Sequence, residues 1–294
     1  MRAKQFDLIW IEKEAFPWLP GWLDVILTCG VPYIVDFDDA QFHRYDQHSS
    51  QLVRRILGLK IDRLMRHATL IIAGNKYLAQ RAWKAGAARV EILPTVIDLH
   101  RYPKAPLPQN SIFTIGWIGS LSTFKHLQDM QSILQVVCQD GDAQMVAIGS
   151  TASDLQLEGV PLTVKPWSGE TEVQELQQFD VGIMPLPDKP WERRKCGFKL
   201  IQYMACSCPI VGSPVGVNQD IIEQGITGFQ ASNAEEWIKA LVLLKQDKEL
   251  RKKLGAAGRQ KVEQQYCLQV TAPKLTHLLN EVNETELKAK QLIF

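Results

Sequence analysis

Short runs rich in valine and isoleucine alternate along this chain with stretches whose apolar residues recur at helical spacing. A short, continuously apolar run suits a strand buried on both faces, and parallel strands need a crossover, usually a helix, between them. The alternation therefore predicts an α/β architecture of parallel sheets covered by helices. The first strands are expected at residues 6–11, 33–37, 69–73 and 90–93, with helices over 50–66 and 76–85. Residues 93–108 then lose periodicity and are punctuated by Pro94, Pro103, Pro106 and Pro108, as an interdomain connection is. The alternation restarts with strands at 113–118, 145–148, 162–164, 181–184 and 209–211, and with helices beginning near Thr123, Glu170, Gly197 and Asn218. Residues 225–229 read as a hairpin or turn, and 234–244, 248–266 and 268–282 as closing helices. We expect a first domain over 1–108, a second over 109–270, and a terminal helix and tail over 271–294. Two α/β units in tandem leave a cleft, and such sheets bind ligands at the carboxyl ends of their strands.

Composition narrows the function. At 294 residues and 46% hydrophobic content the chain can bury a sizeable core and is not disordered. With 33 Lys plus Arg against 32 Asp plus Glu, the net charge of +1 creates no general attraction for nucleic acid. Six cysteines without paired C-x-x-C spacing point to a reducing compartment, and no metal-ligand spacing is visible. The N-terminus lacks a signal-peptide core and no run is long and apolar enough to span a membrane, so we expect a cytoplasmic protein, at most peripheral on the inner face of a membrane.

Three segments carry candidate chemistry. In Glu192-Arg193-Arg194-Lys195-Cys196-Gly197-Phe198-Lys199, basic residues precede a helix start, where unsatisfied N–H groups and the positive dipole end suit a phosphate; a solvated basic loop is the plainer alternative. Along that helix Lys199, Gln202, Tyr203 and Cys206 form a polar stripe expected to face a cleft. Gly216-Val217-Asn218-Gln219-Asp220 follows a strand and lets backbone approach an anion, although Asp220 also suits ordinary dipole complementation. Gly119-Ser120-Leu121-Ser122-Thr123-Phe124-Lys125 stands where doubly wound folds carry a glycine-rich phosphate loop, although Thr123 equally suits a helix cap.

In order along the chain, Ile115-Gly116-Trp117-Ile118-Gly119-Ser120, residues 179–186, Lys195-Cys196-Gly197-Phe198-Lys199, Tyr203-Met204-Ala205, Pro209-Ile210-Val211 and Val215-Gly216-Val217-Asn218 through Gly228-Phe229 resemble the donor-binding domain of family 4 (group 1) glycosyltransferases. Upstream, residues 35–40, 72–75 and 93–98 resemble that family's N-terminal domain. The resemblance implies the GT-B fold, two Rossmann-like domains facing across a cleft. It also implies retaining transfer from a nucleotide-diphosphate sugar to a glycan or lipid-linked acceptor of a bacterial surface polymer, with no cofactor and no metal. Gly119, Ser120, Thr123, Lys125, Arg194, Lys195, Gly197, Lys199, Gln202, Gly216, Val217, Asn218 and Asp220 would then bind the donor. Trp167, after the strand ending at Val164, would lie by the nucleobase. Lys199 would stabilise the leaving diphosphate, and His43 would approach the transferred sugar, a surface histidine being the plainer reading.

Two departures qualify this. The family's Glu-x7-Glu positions fall on Arg194 and Gln202, neither acidic. The likeness also begins partway through the N-terminal domain, without its first βαβ unit, as in a truncated frame, a fragment or half of a split enzyme. A shortened sheet would expose an edge and an apolar face, to be covered by a partner chain or a membrane. The aromatic stretch 16–23 reads first as helix-packing core and second as that contact. Asp36 and Asp38 share a strand face beside Asp39, and Glu172 reads as a first-turn acid complementing a helix dipole. A non-catalytic sugar-nucleotide-binding subunit is the competing function, and an epimerase of the same fold a more distant one.

Overall fold

The computed structural model describes residues 2–106, 108–149 and 156–291. The chain divides into two units, one of 1–95, 194–196 and 271–294 and the other of 96–193 and 197–270. Residues 96–108 thus group with the second unit, where Ile97 and Tyr102 are buried.

The first unit runs β1 (Ile9–Glu12), α1 (Gly21–Leu27), β2 (Tyr33–Phe37), α2 (His43–Asp46), α3 (Gln51–Leu57), α4 (Lys60–His67), β3 (Leu70–Ala73), α5 (Lys76–Ala85) and β4 (Val90–Ile92). Its four strands are parallel, in the order β1-β2-β3-β4, with Ile34 opposite Leu70 and Ile71 opposite Val90. The inner strands are apolar because both faces are covered. Val35, Phe37 and Ile71 pack with Ile61, Leu64, Met65 and Leu78 on one face. On the other, Ile34, Leu70 and Ile72 meet Leu275, Leu278, Leu279 and Val282 of the last helix, α14 (Leu268–Gln291). That face, expected to need a foreign cover, is therefore closed by the chain's own C-terminal helix, which Arg89 anchors through Glu281 at 2.8 Å.

Two other expectations change here. The single helix predicted over 50–66 is broken at Gly58 and Leu59, and the break turns Lys60 inward onto Glu14 (2.7 Å) and Asp24 (3.3 Å). The stretch 16–23 is not packing core: Trp18, Leu19 and Trp22 are exposed.

The second unit runs β5 (Phe113–Ile118), α6 (Phe124–Gln128), α7 (Gln131–Cys138), β6 (Ala143–Ile148), β7 (Leu162–Lys165), α8 (Glu172–Leu176), β8 (Val181–Met184), α9 (Pro190–Arg193), α10 (Phe198–Ala205), β9 (Ile210–Gly212), α11 (Asn218–Ile221), β10 (Gly228–Gln230), α12 (Ala234–Gln246) and α13 (Lys248–Gln265). Its parallel sheet has the order β10-β9-β8-β5-β6-β7. Renumbered within the unit this is 6-5-4-1-2-3, the doubly wound dinucleotide-binding order, whose connections reverse direction between β5 and β8. Residues 225–229 are therefore a Gly225 turn leading into a parallel edge strand, not a hairpin. Apolar clusters fill both faces of the sheet, one around Trp117, Leu134, Met145 and Leu241, the other around Leu200, Tyr203, Met204 and Val262. The tail beyond Gln291 lies outside the described residues.

Candidate nucleotide-sugar site

A cavity of about 360 Å³ opens in the second unit, lined by Ile118, Gly119 and Ser120 after β5, Gly149 after β6, Trp167 after β7, Glu172 of α8, and Phe198, Lys199 and Gln202 of α10. All but the helical residues lie at or just past the carboxyl ends of strands, where the reversal of strand order leaves a crevice. The volume suits a small ligand.

One wall is built on glycine. A Cβ at Gly149, where φ is +119°, would overlap the Gly119 carbonyl. A Cβ at Gly119 would lie 2.5 Å from both the Lys199 ammonium and the Trp117 ring. The loop thus lies against Lys199, whose Nζ sits 4.4 Å from the Trp117 ring centroid and 3.5 Å from Thr123 Oγ1. The cation is held by an aromatic face and a hydroxyl. Beside it α10 begins at Gly197, in the left-handed conformation at φ +68° and without a side-chain cap. The first N–H groups of the helix therefore add to the positive end of the pocket.

The opposite wall is a buried relay. Gln202 Nε2 donates to Tyr102 Oη at 3.1 Å, Tyr102 donates to Glu172 Oε1 at 2.8 Å, and Trp167 Nε1 donates to Glu172 Oε2 at 2.6 Å. Burial raises the Tyr102 hydroxyl well above its ordinary range, so it remains a donor at neutral pH. Glu172 is buried, its two oxygens fixed by these donors, while the Trp167 ring stays 56% exposed and offers a face to the cavity. Between the reversing strands, Tyr203 donates to the Ile183 carbonyl (3.4 Å) and accepts from Ile118 N–H (2.9 Å), bracing the floor.

The sequence reading is only partly gathered here. Gly119, Ser120, Trp167, Lys199 and Gln202 line the pocket, and Thr123 touches it through Lys199. Tyr203 and Cys206, placed on the same stripe, instead turn into the core, where burial pushes the Cys206 thiol up to about 12. Lys125 is exposed off the lining. Gly216 and Val217 lie in the β9–α11 turn and Asn218 and Asp220 in α11, all outside the lining; Asn218 is buried and donates to the Ser213 carbonyl at 3.1 Å. Arg194 and Lys195 belong to the first unit, where Arg194 pairs with Asp39 at 3.1 Å and its carbonyl accepts from Asn75. His43 also lies in the first unit, buried, with Nδ1 on Asp46 (2.8 Å) and Nε2 on Tyr77 (2.7 Å), so neither ring nitrogen is presented to a ligand. Asp36 accepts from Trp10, and Asp38 pairs with Lys13 at 2.9 Å. Sequence reasoning missed Gly149, Phe198 and the role of Glu172, the last signalled only by its nearness to Trp167. Among the described residues no group of three or more His, Cys, Asp or Glu side chains is placed to hold a metal ion, and no helix is long and apolar enough to cross a membrane.

The two parallel α/β sheets and the crevice of the second define the GT-B class. The chain superposes on sucrose-phosphate synthase from Thermosynechococcus elongatus with a TM-score of 0.75 at 18% identity, covering 97% of this chain and 76% of that one. It superposes on Anabaena HepE, solved in complex with UDP, with a TM-score of 0.71 at 16% identity, covering 95% and 80%. Residues 112–247, which include every pocket residue, match the family model described as glycosyl transferases group 1. In sequence the chain is 23% identical over 225 residues to the Bacillus subtilis protein named "Putative teichuronic acid biosynthesis glycosyltransferase TuaH", covering 70% of this chain and 55% of that relative's length.

Proposed function

We propose that this protein is a retaining glycosyltransferase that moves a sugar from a nucleotide-diphosphate donor to a glycan or lipid-linked acceptor of a cell-surface polymer. The observation that carries this reading is the polarity of the pocket, with Lys199 and the start of α10 at one end and the Glu172–Tyr102–Gln202 relay beside Trp167 at the other. A nucleoside diphosphate has the matching polarity: anionic oxygens for the cation and the helix amides, ribose hydroxyls for the relay, and a base for the indole face. As the bond to the sugar breaks, negative charge grows on the diphosphate, and Lys199 with the preoriented amides stabilises that change more than the ground state. The acceptor attacks from the face the diphosphate leaves, so no protein nucleophile and no metal is required. HepE's complexes with UDP and UDP-glucose favour a uridine donor, and TuaH's name favours a polymer of the teichuronic acid kind as product.

Thermal shift against UDP, GDP and ADP and their sugar conjugates, with donor hydrolysis followed in parallel, tests this. A rise with one base, together with hydrolysis that persists in a chelator, is expected. Lys199→Ala should weaken diphosphate binding by about 1.5–3 kcal/mol in calorimetry, the contribution of a charge-assisted hydrogen bond. No shift with any nucleotide would reject the site. A shift without turnover on any donor would favour the binding subunit, a reading supported by Gln202 standing at a position that is acidic in the family.

A further inference from the structure

Residues 93–108 read as an interdomain connection, yet four consecutive residues of that stretch are fastened to the second unit. Arg101 donates to the Gly169 carbonyl at 3.3 Å, the Tyr102 carbonyl accepts from Arg259 at 2.6 Å, the Pro103 carbonyl accepts from Gln177 Nε2 at 3.1 Å, and Lys104 pairs with Glu263 at 3.0 Å. The segment is a strap across α8 and α13. Tyr102 is the buried residue of the four, and its hydroxyl enters the pocket wall between Gln202 and Glu172. The four fastenings are unequal: Arg101, Pro103 and Lys104 are exposed, and contacts between solvated groups contribute little.

Arg259, by contrast, is only 7% exposed. Its Nη1 donates to the Tyr102 carbonyl and also to the Ala205 carbonyl in the last turn of α10, while its Nε donates to Glu263 at 2.8 Å. A charged donor on buried carbonyls is a strong contact, and a cation suits the negative end of a helix. Glycine makes the approach possible. A Cβ at Gly255, one turn earlier on the same face of α13, would overlap the Ser207 carbonyl, and one at Gly258 would lie 3.0 Å from the Met204 side chain, so α13 comes close enough to the end of α10 for the guanidinium to reach across it. One planar fork thus holds both the helix that carries Gln202 and the backbone of the residue to which Gln202 donates. The relay needs that registration, because hydrogen bonds weaken steeply when misaligned. We infer that Arg259, which lines no part of the cavity, is a positioning residue for the pocket: it sets Tyr102 at the height where its hydroxyl joins Gln202 to Glu172. The inference rests on the proposed nucleotide site and extends it beyond the residues that would touch the ligand.

Calorimetry of the full chain with UDP, or with GDP or ADP if one of those is the nucleotide it binds, tests this on the wild type, Arg259→Lys, Tyr102→Phe and the double variant. Each protein is held well below its own melting temperature, so that only folded molecules are counted. Arg259→Lys keeps the charge but loses the fork, and should weaken nucleotide binding about fivefold, the worth of one hydrogen bond; Tyr102→Phe should weaken it about as much. The double variant should bind no more weakly than Tyr102→Phe alone, because without the hydroxyl the height of residue 102 no longer matters to the relay. Glu263→Gln, a part-exposed change that only loosens the guanidinium, should weaken binding about twofold in the wild-type background and not in Tyr102→Phe, and it keeps the test decisive if Arg259→Lys does not fold. Losses that multiply in the double variants overturn the inference, and so does a lowered melting temperature with nucleotide affinity unchanged, which would make Arg259 purely structural. A wild type that binds none of the three nucleotides rejects the nucleotide site and this inference with it, whereas the other failures reject the inference alone.

Discussion

At the scale of single residues, the amide at position 202 is explained by its partner. Tyr102 carries one hydroxyl proton and gives it to Glu172, so its oxygen has room for a donor, and Gln202 supplies one where a carboxylate could not. Replacing Gln202 by Glu would set two acids against one hydroxyl proton. Gln202→Glu should therefore cost about 1–3 kcal/mol in urea unfolding, and adding Glu172→Gln should return most of it; additive losses would disprove the relay. A second residue-scale expectation concerns acid. Burial opposes ionisation of Glu14, but hydrogen bonds from Gln41, Lys60 and Tyr45 outweigh it and hold the carboxyl below its usual value of 4.5. A depressed carboxyl contributes its stability above the unfolded-state value and loses it as pH falls from about there through the lower folded-state value. Glu14→Gln should flatten stability against pH below 4.5 while lowering the neutral plateau, a comparison that denaturant melts at stepped pH provide. These partners lie far apart in sequence, Glu14 from Lys60 and Tyr102 from Glu172, so no local pattern announces them.

At the scale of elements, the start of α10 links packing to the site. Gly197 occupies the left-handed region at φ +68°, and a Cβ there would overlap Ile221 of α11, so the helix start and the β9–α11 turn are fitted together through a missing side chain. Gly197→Ala combines backbone strain with overpacking and should cost about 2–4 kcal/mol, lowering the melting temperature and shifting Lys199 and its nucleotide affinity with it; an unaffected affinity would detach the helix start from the site. Strand positions were legible because a strand buried on both faces must be apolar throughout, as Val35 and Ile71 are. Helix α5 was legible to its ends, because Asn75 caps it through Leu78 N–H and Gly86 closes it in the left-handed conformation. The break at Gly58 was not, because periodicity continues across it and only the buried partners of Lys60 explain the turn.

At the scale of the whole molecule, both apolar clusters of the second unit are made only of residues between Ile97 and Cys267. A chain of residues 96–270 should therefore fold alone with a cooperative transition and give the nucleotide-dependent thermal shift proposed for the full protein. A molten product, or a folded one without the shift, would show that the first unit or α14 is needed to form the site. The first unit is closed differently, by a helix that arrives from the far end of the sequence, a long-range partnership that strand periodicity in residues 1–95 cannot disclose.

Alternation of buried strands and crossover helices was enough to specify two parallel α/β units, and glycine with lysine at strand and helix ends was enough to locate half of the pocket, because those demands are local: a two-sided strand must be apolar, and a tight turn must lack a Cβ. Which polar residues meet was set by the folded arrangement. Glu172 enters the pocket wall through Tyr102 and Trp167, Arg194 is taken by Asp39, and His43 is enclosed between Asp46 and Tyr77. A buried polar group must find its partner wherever the topology brings one, and that distance in space is not written in the spacing of residues along the chain.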